Sequence, residues 1–205
     1  MRHQISRSAC AAATAGLLAC GRGPAVLPGD PSVTPLSPPL ALRQAYLLES
    51  WGASAEDTTV TFSGSEGRVI VLRRGSPDNN LFARISFPPG SVQPAGGDSA
   101  VVSIRPRPGL FGIDLVTTST IGDGAELTFS YAIHFVAPAG ARDTYGSEYR
   151  FERFLGVARL EGDSTLVFVD SRRPASDVLA APLPGPGRYL VAAPRTAPSL
   201  RSIIW

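Results

Sequence analysis

Lysine is absent from this 205-residue chain, which holds only two cysteines, two histidines and one methionine. Without lysine there is neither a Schiff-base amine nor a Ser–Lys pair. Both cysteines, Cys10 and Cys20, fall within the first twenty residues, so nothing beyond them supplies a thiol nucleophile or an internal disulfide. Beyond His3, only His134 is left to act as an imidazole base, and no His-x-x-x-His spacing offers a zinc site. No metal and no organic cofactor is expected, and stability has to come from an apolar core. Long apolar runs are missing too: the run from Ser8 to Leu18 has about half of the roughly 20 residues that a membrane-spanning helix needs.

What that run does have is a basic flank, Arg2 and Arg7 with no acid, and a closing Leu17-Leu18-Ala19-Cys20. A charged flank followed by a short apolar stretch and small residues is the pattern of a removable secretory signal, here residues 1–19. The closing four residues resemble the lipobox of bacterial lipoproteins. That resemblance makes Cys20 the lipidation site, its sulfur taking a diacylglyceryl group with palmitate-type acyl chains. Gly21 rather than an aspartate then implies transport to the outer membrane, with the protein facing periplasm or surface. Losing Arg2 and Arg7 leaves arginines and acids in equal number. No one-sign field for nucleic acid follows, and the doublets Arg73-Arg74 and Arg172-Arg173 read as solvated loop edges.

Residues 20–39 carry six prolines and few large apolar side chains, which makes a semi-extended tether behind the lipidated cysteine. The lead-in 40–57 is ambiguous. Leu40, Gln44, Leu47, Leu48 and Trp51 would line one side of a helix, and Tyr46-Leu47-Leu48 would serve equally in a strand.

From Thr58 onward, short runs of Val, Ile, Phe, Leu and Thr alternate with Gly, Pro, Asp and Asn clusters. Strands are expected over Thr58 to Phe62, Arg68 to Arg73, Leu81 to Phe87, Ala100 to Arg105, Leu110 to Thr117, Ala125 to Phe135, Tyr149 to Leu155, Thr165 to Val169, Val178 to Ala181 and Arg188 to Ala192. In Ala125 to Phe135 the residues Leu127, Phe129, Tyr131, Ile133 and Phe135 share one parity, while Glu126, Thr128, Ser130 and His134 share the other. Antiparallel strands with one apolar face each must bury those faces together. The expected fold is therefore all-β: a single antiparallel β-sandwich over 58–194, followed by a tail over 195–205.

Three further stretches carry a family resemblance: Gly67-Arg68-Val69-Ile70-Val71, Ile85-Ser86-Phe87-Pro88-Pro89-Gly90-Ser91-Val92, and Ala100-Val101-Val102-Ser103-Ile104. Together they resemble the opening of the β-sandwich domain shared by zonula occludens proteins, netrin receptors and ankyrins. Ala125 to Tyr131 is similar to its central strand, and Val178 to Val191 to its closing strand. Some members of that family cut themselves at a His-Phe-Ser step near the closing strand. Arg188-Tyr189-Leu190 stands at that place here, so the resemblance does not extend to self-cleavage.

Candidate chemistry is thin. Ser130 and Glu126 share the parity of His134, but residues four apart on a strand lie about 13 Å apart, far beyond hydrogen-bonding reach. Glu148 and Glu152, read on a strand, are also about 13 Å apart, too far for a glycosidase pair. Asp78-Asn79-Asn80 and Gly122-Asp123-Gly124 carry oxygen ligands but read as turns. Phe129, Tyr131 and Phe151 belong to the core, which leaves Trp51, Tyr145, Tyr149 and Trp205 as exposed aromatics. Trp51, Tyr145 and Tyr149 are the candidate ligand contacts. The expectation is a non-enzymatic envelope lipoprotein, held to the membrane by its lipid, whose β domain contacts another envelope protein or has a structural role. An envelope polysaccharide-binding module is the alternative, and a hydrolase the third reading. Replacing Cys20→Ala is expected to abolish incorporation of labelled fatty acid and to leave unprocessed precursor, as seen by gel mobility.

Overall fold

Strand-forming runs with one apolar parity dominate the sequence, and antiparallel strands dominate the structure. The computed structural model describes residues 38–132 and 134–197. The signal segment, Cys20, most of the tether and Trp205 lie outside the described residues.

Two sheets carry most of the chain. The larger has eight strands, in the order Leu40–Ala41, Thr165–Phe168, Gly156–Glu161, Gly187–Pro194, Gly112–Thr117, Ser99–Pro106 and Thr58–Ser63, with Ala45–Leu47 also paired to Gly187–Pro194. The smaller has five: Arg172–Ala175, Val178–Pro182, Glu126–Ser130, Leu81–Phe87 and Arg68–Arg73. Their inward parities share one core. Val102, Ile104, Ile113, Leu115 and Val191 come from the larger sheet, and Ile70, Leu72, Ile85, Leu127 and Leu179 from the smaller. Aromatic stacks cross between the two: Phe62 lies over Phe87 with ring centroids 5.6 Å apart. Phe82 likewise stacks on Phe111 at 5.6 Å. Phe82 reaches inward because the register shifts between Leu72 and Arg73, leaving it without an opposite residue.

The lead-in forms strands, not a helix. After Leu40–Ala41 comes a single 3₁₀ turn, Leu42–Gln44, then Ala45–Leu47 and Glu49–Ser50. Pairing decides the ambiguity: Leu40 lies opposite Leu166, and Leu47 opposite Ala192. This segment covers the outer side of the larger sheet, where Ala45, Ala158, Leu160, Leu166, Phe168, Leu190 and Ala192 form a second, smaller core. Strand Gly187–Pro194 is therefore buried on both faces.

Two expected strands are corrected. Tyr149 to Leu155 is mostly helix: α1 spans Ala141–Tyr145 and α2 spans Glu148–Arg153. Ser147 caps α2, its Oγ accepting from the Arg150 N–H at 3.1 Å, and Phe151 is buried. The long strand Ala125 to Phe135 is shorter, ending at Ser130; Phe135–Val136 pairs instead with Glu49–Ser50. Strand Gly156–Glu161 was not expected, because its successive residues are buried on both sides and do not alternate.

The passage from the larger sheet to the smaller runs through Gly64 to Gly67, joining two strands that edge different sheets. Backbone packs on backbone here: a Cβ on Gly67, whose φ is +71°, would lie 2.7 Å from the Phe87 carbonyl oxygen. The Gly90 N–H also donates to the Gly64 carbonyl at 2.8 Å, so the Pro88-Pro89-Gly90 step backs this crossing. Phe129 is fully buried between the sheets, edge-on to Phe82. Phe129→Ala is expected to cost about 3–5 kcal/mol in denaturant unfolding through the cavity it leaves.

Candidate functional site

Of the candidate aromatics, the structure leaves two exposed and buries the third. Trp51 is 54% exposed and Tyr149 67%, whereas Tyr145 is 1% exposed. Tyr145 is removed from the ligand contacts: its ring packs against Phe151 and Phe154, and its phenol donates to the Pro194 carbonyl at 2.6 Å. Burial pushes that phenol up to about 12. Trp51 and Tyr149 sit on different parts of the chain. Trp51 lies edge-on to His134, while Tyr149 stands on α2 at the rim of a groove of about 310 Å³ with Glu152, Arg153, Arg173 and Ser176.

His134 is the second correction: its parity with Glu126, Thr128 and Ser130 predicts an exposed place on the polar face of a strand, and it is buried. The ladder ends at Ser130, so parity no longer applies, and the Trp51 N–H donates to the His134 carbonyl at 3.1 Å. The imidazole Nε2 lies 3.4 Å from Asn80 Nδ2 and 3.5 Å from Asp78 Oδ2. Nδ1 is buried without a hydrogen-bond partner among the described residues. Ser130 lines the same cleft of about 120 Å³, but neither ring nitrogen is hydrogen-bonded to it. A nucleophile–base pair is not assembled in this arrangement.

The arginine doublets are not simple solvated edges. Arg74 is buried: Nη1 donates to the Trp51 and Ala53 carbonyls, both at 3.2 Å, and Nη2 to Ser50 Oγ at 2.7 Å. Its guanidinium lies over the rings of Phe82 and Phe111. Desolvation lowers its pKa, partly opposed by Asp78. Arg173 binds the end of α2 through the Glu152 and Leu155 carbonyls and donates to the Tyr131 phenol at 2.6 Å. That phenol in turn donates to the Ser176 carbonyl at 3.0 Å. Glu148 and Glu152 lie one helical turn apart, and Glu148 pairs with Arg142 at 3.1 Å.

The chain matches no family model, no curated protein and no solved structure. Its own geometry therefore carries the functional reading.

A surface that sequence reasoning did not single out remains. Thr58–Ser63 ends the larger sheet and Arg68–Arg73 the smaller, so consecutive strands present two unpaired edges among the described residues. Val69 and Val71 stand outward on the second, 46% and 45% exposed. Its signal is Val69-Ile70-Val71-Leu72, apolar on both parities where neighbouring strands alternate.

Burial also pushes the Tyr131 phenol up to about 12, with Arg173 pulling it down. Both Tyr131 and Tyr145 thus lie above their ordinary value of 10 in the folded protein. Their contribution to stability is complete below about pH 10 and lost as pH rises towards about 12. Melting temperature is expected to fall across that window, and the two phenolates to gain ultraviolet absorbance only near its top. Tyr145→Phe should remove part of both effects.

Proposed function

We propose that this protein is a lipid-anchored envelope lipoprotein whose two β-sheets form a sandwich of the zonula occludens, netrin receptor and ankyrin type, acting by protein contact rather than catalysis. The observation that carries the reading is the pair of open strand edges, one of them apolar on its exposed side. A contact module needs an unpaired edge or an apolar patch, and natural sheets normally guard such edges. The anchor rests on the sequence alone, through Cys20 and the tether behind it. Catalysis finds less support, since His134 is engaged with Asp78 and Asn80 and not with a hydroxyl.

Polysaccharide binding is the second reading, and the groove at Tyr149 favours it. Tyr149 and Arg153 are one helical turn apart, offering a stacking ring beside a guanidinium. Trp51 does not join them.

Photo-reactive residues placed at Val71 or Tyr149 of the anchored protein separate these readings in living cells. Discrete protein adducts at Val71 and none at Tyr149 are expected. Carbohydrate adducts at Tyr149 alone would move the function to polysaccharide binding. A hydrolytic activity lost in His134→Ala, with melting unchanged, would make the protein an enzyme.

A further inference from the structure

We propose that the outer edge of strand Arg68–Arg73 takes an extended, acidic segment of another protein, which adds to the five-stranded sheet as a further strand. The inference rests on the contact reading above and names the partner's chemistry.

In an antiparallel ladder alternate residues of an edge strand turn their N–H and C=O groups away from the sheet. Arg68–Arg73 is paired on one side only, with Leu81–Phe87, and no strand among the described residues occupies its other side. The strand's continuation is closed: Ala55 bridges to Arg74, and the Gly75 N–H donates to the Ser54 carbonyl at 3.1 Å. Six residues remain open, a stretch of roughly 20 Å. Within them there is no proline to block pairing, and Val69 and Val71 offer side-chain contact on the exposed face.

Charge decides what can pair there. Arg68 and Arg73 are exposed, and Arg84, opposite Val71 in the ladder, is exposed beside them. None of the three has a carboxylate within ion-pair distance among the described residues, Glu66 in the preceding turn included. Arg105, Arg107, Arg142, Arg172 and Arg188 each pair with an acid. Arg68, Arg73 and Arg84 differ from other exposed arginines without one, Arg43, Arg150 and Arg153 among them, in flanking an open strand edge. A second copy laid on this edge would bring its own three arginines against these, and like charges across a seam are destabilising. A strand with β-branched residues and flanking carboxylates would meet both the valines and the arginines.

Fluorescence anisotropy with the full lipidated protein in detergent tests this. The probes are labelled peptides of alternating valine and threonine, with aspartates at both ends or lysines at both ends. The aspartate peptide is expected to bind about tenfold more tightly than the lysine peptide, with affinity falling as salt is raised. Methylating alternate backbone nitrogens of the aspartate peptide keeps its charge but blocks ladder hydrogen bonds, and should abolish binding. Arg73→Glu combined with Arg84→Glu, both surface changes, should reverse the preference while leaving the melting curve in place. Equal binding of both peptides, indifference to methylation, or an unchanged preference in the double variant would each overturn the proposal. If neither peptide binds while protein adducts form at positions away from Val71, this inference fails and the contact reading stands. If adducts form nowhere, both fail.

Discussion

Two apolar sheet faces that can leave water only by meeting each other are the constraint from which the rest of this structure follows. The described residues close that interface with aromatic stacks, Phe62 on Phe87 and Phe82 on Phe111, around a layer of branched aliphatics. Polar irregularity is pushed to the rim, where loops must still satisfy their backbone groups. Arginine does this work in a chain without lysine. Arg74, Arg173 and Arg195 each donate to backbone carbonyls of distant segments, and Arg74 and Arg173 reach three acceptors apiece. A planar guanidinium with five donors can span several carbonyls at once, which a lysine ammonium does less well.

Arginine also divides the surface. Five guanidinium groups are matched by carboxylates among the described residues; the three along one open strand edge are not. A strand that is apolar outward and cationic around its margin is selective by construction, since copies of itself are repelled while an acidic strand is not. On the proposal above, protection of the unpaired edge and recognition of a partner would come from the same three side chains.

Legibility in the sequence followed solvent contrast. Arg68–Arg73 and Leu81–Phe87 could be bounded to the residue, since turn residues flank both. Gly156–Glu161 escaped because Val157 faces one core and Ala158 and Leu160 the other, which erases the period of two. Tyr149 to Leu155 misled for the opposite reason: Phe151 and Leu155 share a parity, but their spacing of four also puts them on one side of α2 and its last turn. Ser147 was the signal that could have decided it. Parity likewise has no means of marking where a ladder stops, so His134 was placed on a face that ends at Ser130. As for the candidate site, exposure of Trp51 and Tyr149 was readable from their flanking polar residues. The burial of Tyr145 and Arg74 was not, because each is enclosed by segments remote in the chain.

Among the described residues, the strand that pairs most widely is the last one. Gly187–Pro194 holds Gly156–Glu161, Gly112–Thr117 and Ala45–Leu47 together, and just beyond it Arg195 donates to Ala45 across 150 positions of sequence. Closing contacts across so many positions of sequence costs loop entropy that the pairing along this strand has to offset. Three segments from different parts of the chain thus meet on one strand, so that a change which unpairs it separates all three together.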